Sequence, residues 1–307
     1  MPNPNLVFRQ DLTDFATGVM QDNAKVLAEV KRIAPVVPTG VLAGRYPEFN
    51  NLQDFAINDT KRVAGGMTAN AKFGATMTDF TLQPNALQIG VDQEIEIPLA
   101  GGNSLAVEQA KTNTLIAQSC GSLANDVYTL LKTGRAAHAT FGKWSDANVD
   151  PIDEITAAAL EIYEATGLWP NHVDITPHMW RYLQKHPLTL KRFGGKNAAI
   201  KMEDVGAEAG VPDMQLVTGA GLSSGDFGQS TATFSPMLGK ACWIYYSNPM
   251  ATGQNATFAM TLSRDQDMLG GVYEYMTSDG TVKKLRLAWF VKPVVVSAAL
   301  ARRIVYS

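Results

Sequence analysis

The longest helical pattern in the chain lies between two glycine breaks and limits the folds open to everything around it. Pro98, Gly101 and Gly102 precede it, Asn103 or Ser104 can cap its first turn, and Gly134 ends it. From about Ser104 to Thr133, Ile116, Cys120, Leu123, Val127 and Leu130 recur every three or four residues and make one apolar stripe. At 1.5 Å per residue the helix is about 45 Å long. Only its second half carries a full stripe, which predicts a spine laid across a sheet.

What precedes the spine is mostly extended. Pro2 and Pro4 open an arm, and Phe15, Val19, Val26, Leu27 and Val30 then keep helical spacing. That helix stops at Ala34, because Pro35 disfavours the helical conformation in the residue before it. Residues 35 to 70 are broken by Pro35, Pro38, Pro47 and Gly65-Gly66. An ordered loop of this length is unusual inside a compact domain, so something outside the subunit is expected to order it. Two alternating stretches follow: Phe73, Ala75 and Met77, then Leu87, Ile89, Val91, Ile95 and Ile97, with a turn at Pro84-Asn85. Residues 72 to 97 are therefore expected to form a long projecting hairpin.

Beyond the spine the pattern becomes mixed. Asp150-Pro151 supplies a carboxylate cap and a first-turn proline for a helix with Ile152, Ile155, Ala159, Ile162 and Tyr163 on its buried face, closed by Gly167. A strand at Val173 to Ile175, helices at Pro177 to Lys185 and Met202 to Ala209, and strands at Leu216-Val217 and Trp243 to Tyr246 describe an α/β lobe. The last quarter is antiparallel β. Val272 to Met276 and Val282 to Val291 flank a hairpin turn at Ser278-Asp279-Gly280, Pro293 breaks the run, and Val294 to Tyr306 is a final strand.

Composition removes several classes of function. Of 307 residues, 46% are hydrophobic and 18% charged, too apolar a chain to remain largely disordered. Lys+Arg number 26 against Asp+Glu 29, a formal charge of -3, so overall basicity does not hold this chain on nucleic acid. The longest apolar stretch, Val294 to Ala301, is too short to cross a bilayer, and no secretory signal opens the chain. Cys120 and Cys242 form no metal-spacing motif, and both read as small buried hydrophobes of a reduced, intracellular protein.

Each catalytic template meets a plainer explanation. Glu94 and Glu96 share one face of the expected strand, as a general acid/base pair would, but a solvated strand edge accounts for them. Asp265 and Asp267 make an incomplete shell for a cation. His172, His178 and His186 lack ligand spacing and suit capping and turn roles. Gly219, Gly221 and Gly225 fit no phosphate-loop pattern and read as a flexible loop. No catalytic, cofactor-binding or metal site is expected.

The order of elements is more specific than any residue. A proline-broken arm, a projecting hairpin, a spine helix, an α/β lobe and a returning antiparallel sheet resemble the tailed-phage major capsid proteins, whose Hong Kong 97-type fold is shared with encapsulins. GLWPNHVDITPHMWRYLQKHP (167 to 187) and MEDVGAEAGVPDMQLVTG (202 to 219) are similar to the axial lobe of that family. ATFAMTLSRDQDMLGGVYEYMTSDGTVKKLRLAWFVKPVVV (256 to 296) resembles its peripheral-domain sheet.

The resemblance implies an α+β fold with four parts. They are an N-terminal arm (1–34), an extended loop with flanking strands (35–98), a peripheral domain (99–134 plus 257–293) and an axial domain (135–256 plus 294–307). It further implies a non-enzymatic shell protein in the virion, meeting copies of itself as hexamers and pentamers and enclosing double-stranded DNA by non-specific contact. A portal, a separate scaffolding protein and a decoration protein are the other expected partners, with assembly in the host cytoplasm and no membrane. Because Met1 leads almost directly into the arm, a separate scaffolding protein, or assembly without one, is expected in place of a fused scaffolding segment. Axial tips near 194 to 201 and 219 to 235, the arm and the hairpin would carry most contacts between subunits. Some relatives join a loop lysine to an asparagine of another subunit; Lys61 and Lys72 lie in that region, where solvated lysine is the simpler reading. The same fold serves encapsulin-type nanocompartments, and a hydrolase using Glu94 and Glu96 is the alternative from another class.

Overall fold

Strand pairing joins segments far apart in the chain. The computed structural model describes residues 6–22, 24–49, 75–194, 200–218, 220–222, 234–236, 238–250, 255–265, 270–278 and 280–306. In chain order these form β1 (Val7–Phe8), α1 (Gln10–Asp22), α2 (Ala24–Ile33), β2 (Val36–Pro38), β3 (Ala43–Glu48), β4 (Thr76–Thr81) and β5 (Gln83–Asp92). Next come α3 (Glu96–Leu99), α4 (Ser104–Gly134), α5 (Pro151–Thr166), β6 (His172–Ile175), α6 (Pro177–Lys185), α7 (Pro187–Arg192) and α8 (Met202–Glu208). The chain ends with β7 (Asp213–Leu216), β8 (Ala220–Leu222), β9 (Phe234–Pro236), β10 (Ala241–Tyr245), β11 (Ala259–Ser263), β12 (Val272–Met276), β13 (Val282–Val295) and β14 (Ala301–Val305).

Two compact units result, each assembled from separate stretches. The first takes Met1–Gly44, Phe80–Val127 and Thr261–Val294; the second takes Arg45–Asp79, Tyr128–Met260 and Val295–Ser307. The six-stranded sheet runs β1-β12-β13-β11-β2, with β5 also paired to β13. Along β13, Leu285, Leu287, Trp289 and Val291 are buried while Arg286 faces water, the two-residue period of a half-covered sheet. Pro293 does not end this strand. The pairing with β5 finishes at Val291↔Gln83, so the missing N–H of proline costs that ladder nothing. The expected final strand is likewise divided: β13 ends at Val295, a 3-10 turn occupies Ala298–Leu300, and β14 lies in a different sheet.

That second sheet, β14-β10-β6-β7, forms the heart of the second unit. Cys242 lies opposite Ile304 and Ile175, and β6 pairs in parallel with β7. Val173, Ile175, Trp243, Ile244, Ile152, Ile155 and Ile162 are fully buried there. At ~25 cal/mol per Å², burying an indole of ~200 Å² contributes on the order of 5 kcal/mol, and the Trp243 Nε1–H also donates to the Leu131 carbonyl at 3.2 Å.

α5 begins and ends as its sequence predicts. The Asp150 side chain accepts from the Ile152 amide, Pro151 occupies the first turn, and Gly167 caps the end at φ 73°, a left-handed conformation that favours glycine. Tyr163, however, is half-exposed and lies off the buried face. α4 is capped by Asn103, whose Oδ1 accepts from the Ala106 amide. Its buried line includes Leu131, while Leu130 is only half-buried. Gly134 serves packing: a Cβ there would stand 2.6 Å from Val295 Cγ2.

Other differences come from pairing partners that periodicity cannot name. The hairpin expected over 72–97 does not form. β4 pairs with β3 whereas β5 pairs with β13, and Pro84 and Asn85 lie inside β5 opposite Phe290 and Trp289. The contacts of the β3–β4 ribbon include the Leu82 amide on the Leu42 carbonyl, Arg45 with Asp79, and Thr78 with Glu48. Residues 36–48 are therefore held by this chain itself, with β2 in parallel register against β11. The arm helix is two helices, α1 and α2, with Leu12, Ala16, Val19, Leu27, Val30 and Ile33 inward and Val26 exposed. The short helix α7 has no forerunner in the sequence pattern, and the glycine-bearing stretch after 219 contributes β8 and β9, an antiparallel pair in place of the expected flexible loop.

Candidate functional site

The fold disperses the residues that could have formed a catalytic group. Asp92 ends β5, so Glu94 follows in a turn and Glu96 opens α3; they do not share a strand face. The Glu94 side chain is exposed, and its amide donates to Asp92 Oδ1. Glu96 Oε1 accepts from Lys111 Nζ at 2.7 Å, which makes it one half of an ion pair. Asp265 is held by Arg264, and Asp267 lies outside the described residues. His172 Nδ1 bonds Asp213, His178 is exposed, and His186 caps α7 by accepting from the Leu188 amide. Gly221 is in β8, whereas Gly219, Gly225, Lys61 and Lys72 lie outside the described residues.

Both thiols are in the core. Burial pushes Cys120 up to about 11 and raises Cys242 further, with the Asp174 charge adding to it, so neither is an activated nucleophile. Among the described residues, no three His, Cys, Asp or Glu side chains are grouped to hold a metal ion, and no helix is long and apolar enough to cross a membrane. In the first unit a cavity of about 500 Å³ is lined by Thr13, Thr17, Arg264, Tyr273, Arg286 and Phe290 among others. Its carboxylate, Asp265, is tied to Arg264 Nη2 at 2.9 Å, so these residues do not pair a free base with a nucleophile.

What the fold does build is an anchored arm. β1 adds to the edge of β12, with Val7 opposite Glu274 and Phe8 opposite Tyr273, and the Phe8 and Tyr273 rings meet edge-on at 5.4 Å. Arg9 then reaches Glu108 of α4 at 3.1 Å, together with Asp11 and Glu274. Glu108 is 3% exposed and also accepts from Lys283 Nζ of β13 at 2.8 Å. A buried carboxylate must be paired, and this one binds the arm, the spine helix and the sheet together. Sequence motifs do not single it out. The available signal is helical phase, because Glu108 and Thr112 continue the inward line of Leu115, Ile116 and Ser119 where apolar residues are lacking.

Several apolar side chains remain in water. Leu99 is 82% exposed and Met250 83%, with Ile95, Leu105, Leu160 and Tyr163 each about half exposed. Exposed apolar side chains mark a surface that meets other molecules only where they are contiguous, as Leu160, Tyr163 and Trp169 are at the end of α5. The expected intersubunit surfaces at 194–201 and 219–235 fall largely outside the described residues.

No family model and no curated protein matches the sequence. Solved structures do. A phage-related protein from Bordetella bronchiseptica RB50 superimposes with a TM-score of 0.71 at 16% identity, over 98% of this chain and 97% of that one. A putative capsid protein of a prophage from E. coli CFT073 does so at 0.54 and 12% identity, over 96% and 99%. An encapsulin from Synechococcus elongatus PCC 7942 matches at 0.51 and 10% identity, over 88% and 84%. The arm, ribbon, spine helix, lobe and returning sheet together are the Hong Kong 97-type fold of phage capsid proteins and encapsulins.

Proposed function

We propose that this chain is the major capsid protein of a tailed double-stranded DNA phage, assembling into the icosahedral head that encloses the genome. The observation that carries this reading is the superposition on the phage-related protein over nearly the whole length of both chains. The placement of Glu94 in a turn and of Glu96 in an ion pair with Lys111 removes the carboxylate pair on which the hydrolase alternative rests. The shell would be made of hexamers and pentamers, its strength coming from many modest interfaces repeated by symmetry. Portal, scaffolding and decoration proteins would be its partners, the packaged DNA would be touched non-specifically, and the assembled protein would reside in the virion after assembly in the host cytoplasm. Residues 99–134 with 257–293 would make the peripheral domain, and 135–256 with 294–307 the axial domain.

An encapsulin-type nanocompartment is the second reading, favoured by the encapsulin neighbour. The prophage capsid protein scores much the same, 0.54 against 0.51, so the preference for the phage reading rests on the phage-related protein at 0.71. Negative-stain electron microscopy with light scattering on the purified chain tests both. Closed shells or capsomer rings are expected, and a monodisperse monomer both alone and when co-expressed with the scaffolding protein overturns the shell reading. Particles from the native source that contain double-stranded DNA support the phage head; a protein cargo supports the compartment.

A further inference from the structure

We propose that neighbouring copies join through a head-to-tail contact in which the outer face of α5 on one copy meets the outer face of α6 on the next. The proposal rests on the shell reading and names the surfaces that would close its rings. Both helices belong to the second unit.

α5 carries four acidic residues, and three are satisfied within the chain. Asp153 pairs with Arg192, Glu154 accepts from the Trp144 indole and the Gly142 amide, and Glu161 pairs with Arg302 and His138. Glu164 has no such partner among the described residues. It stands one turn beyond Leu160 and beside Tyr163, which are 45% and 50% exposed, and the Tyr163 ring lies 6.0 Å from Trp169, itself 37% exposed. The face therefore has an apolar, aromatic centre with an acid at its margin, the composition of interface anchors.

α6 presents the opposite sign. Arg181 and Lys185 stand one turn apart on its exposed face and carry its positive charge, with His178 beside them, while Met179 and Leu183 are buried on the other. None of the three has an ion-pair partner among the described residues. A two-fold contact of α5 on α5 would oppose Glu164 to itself, and α6 on α6 would oppose the cations. Of these three pairings only α5 on α6 matches the signs, and a contact between unlike faces repeats from copy to copy, closing the rings that the shell reading requires where its rotation allows.

The test uses the full chain, with assembly read by light scattering and negative-stain microscopy and folding by circular dichroism. Glu164→Lys and Arg181→Glu should each remain folded while the assembled fraction falls roughly tenfold or more, because one like-charge contact recurs at every joint. The double variant Glu164→Lys/Arg181→Glu restores the pairing and should recover assembly. If the wild type assembles and both single variants assemble equally well, the contact is wrong and the shell reading stands. Folded single variants that fail without recovery in the double variant also overturn the pairing. A wild type that stays monomeric even when co-expressed with the scaffolding protein overturns the shell reading and this contact with it.

Discussion

At the residue scale, burial and charge decide most of what matters. Glu108 is the clearest case: its place on the spine is legible as a carboxylate in the inward phase of a helix, but its partners are not. Arg9 and Lys283 come from opposite ends of the chain and meet only when β1 and β13 enter one sheet. The same cluster makes the arm sensitive to acid. The Arg9 hydrogen bond holds the Asp11 carboxyl at about 2, below its ordinary value near 4. A depressed folded value means the stabilisation is present above pH ~4 and is lost as pH falls through about 2. Asp11 is half-exposed, so the effect is local and screened by salt. Backbone exchange of Phe8 and Arg9, read by hydrogen–deuterium exchange, should quicken relative to the core as pH drops from 5 to 2, and Arg9→Ala should remove that dependence. The thiols behave as composition suggests, since a lone Cys on an apolar stripe is more often packing than chemistry.

At the scale of elements, the local signals are strong wherever cap, period and breaker agree. Asp150-Pro151 and Gly167 frame α5, and α6 spans Pro177–Lys185 as its pattern predicts. Gly134 shows how a right boundary can have another cause. It ends α4, yet the space above it is filled by Val295, a stiff β-branched side chain. Gly134→Ala should therefore destabilise the protein by about 1–3 kcal/mol in denaturant unfolding, although alanine is the better helix former. Val295→Ala in the same chain should recover part of that loss, a coupling measured by the double-mutant cycle. The expected 72–97 hairpin fails for a different reason. Alternation says that a stretch is a strand and which face is apolar, but β4 finds β3 and β5 finds β13, and neither partner is marked by local spacing.

At the scale of the whole molecule, each compact unit is woven from three separate stretches of chain, so no composition shift or linker marks its boundary. The absence of sustained pattern over 35–70 suggests that other subunits order this region, yet β2 and β3 are paired within the chain. That narrows the expectation to the stretch between β3 and β4. Deleting residues 50 to 70 should leave a soluble, folded subunit, because β3 still pairs with β4 and β2 with β11. The same variant should no longer close shells under the microscope; normal particles from it would reject an assembly role for the segment.

The amino-acid sequence by itself determined the spine helix, α5, α6, the core strands β6 and β10 and the β12–β13 hairpin, together with the order of elements that resembles a capsid fold. Those features rest on interactions within a few residues, where period, caps and turn chemistry act directly. Only the tertiary structure decided which strands pair beyond that hairpin, that Glu94 and Glu96 part company, and that Glu108 holds the arm. Register and buried charge pairs depend on which distant segments meet, and that is set by the packing of the whole.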